Sequence, residues 1–396
     1  PPRTQNNQNT QNIYHAPESP ELTHRDDSRK WHDKVVKEPT EVSRVLLERF
    51  RVPELARKVE ETYVERARLE RAIEDFVGVD ETAQCLVVVG PRGSGKRAIV
   101  RKVLRTRNVV YVQLSDSVRR IADAVRAKFF LSDSVRIDVN DVFRTLGSNG
   151  SPTEKPVVVL ELDSQVGAEV VTTESHRLQR IVCEDPLAHG ILVLSDAHAA
   201  LELRDDPARR RILWVGDFDD RETDAFLDKF GVLSTHGEAH DGPNTMLRRR
   251  LVEEVGANPA LLYAAAAHAN ATVAARTCGD TERLEVNSTT ERAILEDFVR
   301  RQLDEAADAV ERSMVLVPVT KRIVRALLAS RNGAIRPSAV RGLDHIALMA
   351  DFHNRKLRAI SYNSETNRLV WSSKAHEAAA GAYFDAQQNN KEPSIL

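Results

Sequence analysis

The sequence predicts an α/β fold: a mainly parallel sheet with helices on both faces, then a helical region and a smaller C-terminal unit. Three observations predict it. Five short apolar runs, at residues 85–89, 109–114, 157–162, 191–194 and 212–215, alternate with amphipathic stretches, as strands joined by crossover helices do. A glycine-rich turn follows the first run directly. Beyond residue 220 the strand-length runs give way to helical periodicity that lasts to about residue 275.

Taken in order, residues 1–38 are dominated at first by Asn, Gln, Thr and Pro, too polar to offset the entropy of ordering them, and are expected to form a disordered tail. From 39 to 77, Val42, Val45, Leu46, Phe50, Leu55, Val59, Tyr63, Leu69, Ile73 and Phe76 recur at spacings of mostly three or four, which predicts a helical lead-in. Together with the five runs this makes an α/β domain over 39–218, with helices expected to start at Lys96, Ser117, Thr173 and Asp220. A helical unit follows over 219–288, broken at Gly231 and at the Gly256-Ala257-Asn258-Pro259 turn. The C-terminal unit, 289–385, reads as a helix to Arg312, a second over 320–330, a third from Pro337 to about Phe352, and two strand-like runs at 357–362 and 368–371. The polar segment 363–367 between those runs has turn chemistry. Three helices and a hairpin outline a winged-helix module; a small α+β cap without any ligand has the same outline. Residues 386–396 are expected to form a short tail.

Bulk properties narrow the function classes. At 396 residues and 41% hydrophobic, the chain can bury at least one sizeable core. A net charge of −2 favours neither nucleic acid nor membrane as a partner of the whole surface. Cys85, Cys183 and Cys278 lie far apart, in no metal-ligand spacing, which fits a reducing compartment: cytosol, nucleus or mitochondrial matrix. A bilayer span takes roughly 20 apolar residues, and the nearest candidate, 261–275, is short and interrupted by His268 and Asn270, so no membrane span is expected. The chain begins Pro1-Pro2 and not Met, so any targeting peptide ahead of it lies outside this sequence.

The strongest local signal is Gly90-Pro91-Arg92-Gly93-Ser94-Gly95-Lys96-Arg97. A phosphate-binding P-loop needs a buried strand, glycines that let backbone N–H groups converge on phosphate oxygens, and a helix whose N-terminus favours anions. All three are present in order, and Lys96 would reach the β- and γ-phosphates. The expected ligand is ATP or GTP. Arg97 departs from the motif, which places Ser or Thr there to coordinate Mg²⁺; an arginine cannot be that ligand. A second acidic element is expected on a buried strand, and 157–163, ending Leu160-Glu161-Leu162-Asp163, is the best candidate. Glu161 stands where an aspartate normally reaches the metal's water shell and Leu162 where a glutamate meets the attacking water. Glu161 and Asp163 share one side by alternation, so both are candidate catalytic carboxylates and Asp163 the candidate metal-holding one; alternatively, Asp163 only ends the strand. Ser195-Asp196 could sense a γ-phosphate or simply cap a helix. Arg209-Arg210-Arg211 could contact phosphate or be solvated surface.

Together the 90–97 loop, the acidic strand, Ser195-Asp196, the 214–218 run, the 222–230 helix and the 254–262 turn resemble the AAA+/STAND class of P-loop ATPases, over roughly residues 42–275. That resemblance implies a helical lid after the sheet, with a Gly-x-Pro turn approaching the nucleotide. The 90–97 motif, with its basic residue after the lysine, is similar to that of the fungal mitochondrial escape protein family and related organellar ATPases. This implies the mitochondrial matrix and an association with mitochondrial nucleic acid or its expression machinery. Since Arg97, Glu161 and Leu162 depart from the class where it handles Mg²⁺ and water, the resemblance supports nucleotide binding more than turnover. Two functions are expected on these grounds. One is a nucleotide-dependent switch or scaffold with weak or absent hydrolysis, working with protein partners or as a homo-oligomer. The other is a structural subunit or assembly factor of a ribonucleoprotein, contacting RNA or DNA through the C-terminal module. An active ATPase would require Arg97 to be tolerated.

Overall fold

The computed structural model describes residues 29–30, 33–34, 39–79, 84–115, 117–131, 136–140, 142, 155–163, 166–184, 188–195, 207–230, 243–277, 288–317, 319–341, 343, 348, 357, 359–363 and 366–389. Nearly all of the tail expected over 1–38, residues 390–396, Asp196 and most of the helix expected after Pro337 lie outside them.

The lead-in is three helices, α1 (Pro39–Arg49), α2 (Arg57–Thr62) and α3 (Ala67–Gly78). Proline at position 53 fits the first break, since its ring and missing N–H cannot sit inside a helix. Then β1 (Cys85–Gly90), α4 (Lys96–Leu104), β2 (Val109–Leu114), α5 (Ile121–Phe129), β3 (Val157–Leu162), α6 (Ala168–Gln179), β4 (His189–Ser195) and β5 (Arg210–Trp214) alternate. The strands form one parallel sheet in the order β2-β3-β4-β1-β5. β4 thus lies between the strand that feeds the glycine loop and the strand that carries Glu161.

Near-continuous apolar strands follow from burial on both faces. On one face Val87, Val89, Val112, Leu160 and Leu192 meet Leu46 of α1, Ile121 of α5 and Leu178 of α6. On the other, Leu86, Val88, Val159 and Val193 meet Ile73 and Phe76 of α3 and Ile99 and Val100 of α4. Glu161 belongs by alternation to this second face, so it points at α4.

Next come α7 (Asp220–Phe230), α8 (Pro243–Val255) and α9 (Pro259–Thr277). Leu227, Leu251, Leu262 and Ala266 form their shared core, extended by a file of rings from Phe218 through Phe226 and Phe230 to Tyr263. The α7 start is a reciprocal capping box: Glu222 N–H donates to Asp219 Oδ1 (2.7 Å) and Asp219 N–H to Glu222 Oε2 (3.1 Å). The C-terminal unit comprises α10 (Ser288–Leu316), α11 (Thr320–Leu328), β6 (Ala334–Ile335), β7 (Ile360–Asn363), β8 (Arg368–Trp371) and α12 (Lys374–Asn389). Its antiparallel sheet runs β6-β8-β7, and α12 lies along α10, with Ala380 and Phe384 in a core with Val310, Met314, Leu327 and Leu369.

Candidate functional site

The 90–96 loop leaves the carboxyl end of β1 and enters α4. Two of its glycines are left-handed, Gly93 at φ +84° and Gly95, the N-cap of α4, at φ +87°, a region a side chain would strain. Ser94 N–H closes the turn on Pro91 O (3.3 Å), and the fully buried Ser94 hydroxyl has no partner. The Lys96 ammonium folds back over the loop and donates to Gly90 O (2.6 Å) and Pro91 O (2.7 Å). A helix start leaves its first N–H groups without intrahelical acceptors. Loop, helix start and lysine therefore gather donors and positive charge at one point, an arrangement that fits the phosphates of a nucleotide.

Glu161 is in a different condition from the carboxylate that the sequence led us to expect. It is 2% exposed and ringed by donors. Arg97 Nε lies 2.6 Å from Oε1, Arg101 Nη2 3.1 Å from Oε2, Gln113 Nε2 donates to Oε1 at 3.2 Å and the Tyr111 hydroxyl donates to Oε2. The arginines stand one turn apart on α4, and Gln113 pairs directly with Glu161 across the β2–β3 ladder. Burial, and then the adjoining Glu161 charge, push the Tyr111 hydroxyl above its usual range and keep it a donor. An ionised carboxylate has about four lone-pair sites, and all are taken. Glu161 thus has no acceptor left for a metal or an attacking water. The residues present do not fit a divalent ion held by the acidic strand: among the described residues no group of three or more His, Cys, Asp or Glu could hold a metal. Asp163 sits half-buried just past β3, with its backbone bonded to Leu114 and Val166.

Two residues with larger roles than their sequence positions suggested complete the site. Arg66, just ahead of α3, is buried at 6% exposure. Its guanidinium donates to Ser94 O (3.2 Å), Gly216 O (3.1 Å), Asp217 O (2.7 Å) and Glu222 Oε2 (3.0 Å), tying the loop to the end of β5 and to α7. These partners occupy the Arg66 fork. Asn258 caps α9, with Pro259 at the first helical position: its Oδ1 accepts from Ala260 N (3.2 Å) and Leu261 N (3.4 Å). Its Nδ2 donates to Arg92 O (3.2 Å) and Asp217 Oδ1 (3.1 Å). Ala260 N also donates to Gly93 O (3.2 Å) and Phe218 N to Ala257 O (2.9 Å). Burial raises the Asp217 carboxyl above its usual range, against the Asn258 hydrogen bond and the Arg66 charge.

Of the other candidates, Ser195 ends β4 half-buried. The arginine cluster divides: Arg210 is buried and donates to Gln179 Oε1 (3.2 Å), whereas Arg209 and Arg211 are exposed. Arg210 is thus neither a phosphate finger nor solvated surface. A signal for Arg66 was its place between two apolar periodic stretches; for Asn258, the Asn-Pro pair opening a helix. Compared by sequence, the chain matches no family model and no curated protein.

Proposed function

We propose that this chain is a nucleotide-binding protein of AAA+/STAND-like type, in which ATP or GTP acts as a conformational switch or structural ligand with slow or absent hydrolysis. The observation that carries the reading is the hydrogen bonding between the 90–96 loop and the turn that opens α9, through Asn258 and Ala260. Whatever draws Lys96 away from Gly90 O and Pro91 O reshapes the same loop that α9 grips. In this reading α7–α9 are the lid, and their hold on the loop transmits nucleotide occupancy to a winged-helix-like module built on α10–α12. Lys374 of α12 supports that route, donating to Val252 O of α8 at 3.4 Å. Weak or absent hydrolysis follows from the saturation of Glu161, one of the two carboxylates expected to be catalytic.

The test is a titration of the full chain with a fluorescent ATP analogue, alongside Lys96→Ala, with phosphate release followed in the same samples. Binding in the wild type, its loss in Lys96→Ala and negligible release are expected. Brisk release would make the protein an ATPase, and no binding would end the nucleotide reading.

A second reading, a structural or assembly subunit of a mitochondrial ribonucleoprotein, is favoured by one observation. Between Glu311 and Asp344 the sequence has seven basic residues and no acidic one, and Lys321, Arg322, Arg325, Arg331, Arg336 and Arg341 are exposed. RNA affinity falling steeply with salt supports it; affinity indifferent to salt counts against it.

A further inference from the structure

We infer that Arg97, held in place by Glu161, stands in for the divalent cation at this site, so that the protein binds its nucleoside polyphosphate without metal. The inference rests on the nucleotide-binding reading above. In the motif, the residue after the lysine and the carboxylate of the acidic strand serve one metal between them. Here both have changed, and they bond to each other: Arg97 Nε is 2.6 Å from Glu161 Oε1.

Charge supports the exchange. Arg97 and Arg101 against Glu161 leave one net positive charge at this corner, the same as a divalent ion beside one carboxylate. A divalent ion here would have to displace four donors from a buried carboxylate and sit among Lys96, Arg97 and Arg101, at a large electrostatic cost.

Geometry gives the exchange a use. Glu161 is 3% exposed at its side chain, whereas Arg97 is 52% exposed on the first turn of α4, beside the loop with its unpartnered Ser94 hydroxyl. The shortest contact of the ion pair is made by Nε, and the other edge of the guanidinium carries the two Nη groups. That fork is the group suited to binding a pair of phosphate oxygens. Glu161, Arg101, Tyr111 and Gln113 are then positioning residues for Arg97.

Calorimetric titration of the full chain with ATP and with ADP, in Mg²⁺ and in excess EDTA, tests this on the wild type, Lys96→Ala and Arg97→Thr. Arg97→Thr should fold, since Glu161 keeps Arg101, Tyr111 and Gln113, and its melting curve verifies that. Wild-type affinity should differ by no more than about threefold between the two buffers. Losing a charge-assisted phosphate contact should weaken Arg97→Thr about 10- to 100-fold in EDTA, and Mg²⁺ should restore part of the loss. Wild-type binding stronger by about tenfold or more in Mg²⁺, or Arg97→Thr binding like wild type in EDTA, overturns the inference. In either case, binding lost in Lys96→Ala leaves the nucleotide reading standing. Absence of wild-type binding in both buffers removes both.

Discussion

Replacing Asn258 with alanine should release α9 from the 90–96 loop, and the size of the effect can be worked from its four side-chain bonds. Losing the cap at Ala260 N and Leu261 N costs about 1 kcal/mol. The donor to Arg92 O and Asp217 Oδ1 disappears from a residue 4% exposed. Both acceptors belong to exposed residues that water can reach, so each lost bond costs about 0.5–1.5 kcal/mol net, and with the cap local opening should become easier by about 2–4 kcal/mol. At about 1.4 kcal/mol per factor of ten, amides around 91–97 and 256–262 should exchange hydrogen about 30- to 1000-fold faster. Part of the loss should depend on pH. The Asp217 carboxyl already lies above its unfolded value near 3.8, from burial, and the Asn258 bond opposes that rise. Without the bond it rises further. A carboxyl raised in the folded state favours folding below its unfolded pKa, and this advantage is lost as pH climbs through the folded value. The penalty of the substitution should therefore be larger at pH 7 than near pH 4. Exchange within about threefold of wild type at both pH values would refute the argument that Asn258 fastens the helix to the loop.

Gly90→Ala should cost more than 4 kcal/mol and abolish soluble folded protein, because a Cβ there would lie 2.0 Å from Val215 O while Val215 N is bonded to Val89 O at 2.7 Å. Soluble yield and near-UV circular dichroism check it, and a well-folded variant would contradict the β1–β5 geometry. At the start of α12, burial pushes His376 down to about 4, with its Nδ1 against Ser373 Oγ at 2.8 Å. The unfolded value is near 6.5, so this contribution is complete above pH 6.5 and drains away as pH falls towards 4, by about 3 kcal/mol in all. Melting curves of wild type and His376→Gln should converge over that range; parallel curves would disprove it.

The sheet was legible because its strands are buried on both faces, which writes continuous apolar runs into the sequence. Predicted 109–114 and 157–162 coincide with β2 and β3, and the other three runs are observed with boundaries shifted by one or two residues at an end. Helix starts were less legible where distant groups decide them. Expected at Ser117, α5 begins at Ile121, whose N–H is held by Glu174 Oε2 at 3.0 Å from another helix, while Ser115 and Val118 close a turn on each other. Expected at Thr173, α6 begins at Ala168, and its Val-Val-Thr-Thr run is β-branched and weakly helical by itself. Burial of Val171 in the sheet core overrides that preference. The helix α12 left no apolar stripe to read because it meets α10 largely through alanines, such as Ala379 and Ala380.

For the site, the glycine loop could be read because its chemistry is local: strand, two left-handed glycines, lysine and helix start follow one another within a dozen residues. What surrounds the loop is set by pairings across long separations, and residue type alone does not choose them. Arg97 was legible as the wrong residue for a metal, and Glu161 as a departure from aspartate, yet each taken alone reads as damage. Placed 2.6 Å apart across the α4–β3 packing they become one substitution. An isolated glutamate, 2% exposed, would be costly to ionise, and the longer side chain is tolerated because Arg97, Arg101, Tyr111 and Gln113 converge on it. Arg66 follows the same logic, since a guanidinium is costly to bury unless its donors are met, and the three carbonyls and one carboxylate that meet them come from the loop, the end of β5 and α7. Removing Glu161 would strand Arg101 and Tyr111 at once, and removing Glu222 would strand Arg66 Nε. A carboxylate and the arginine after the lysine are therefore better compared as a pair than position by position.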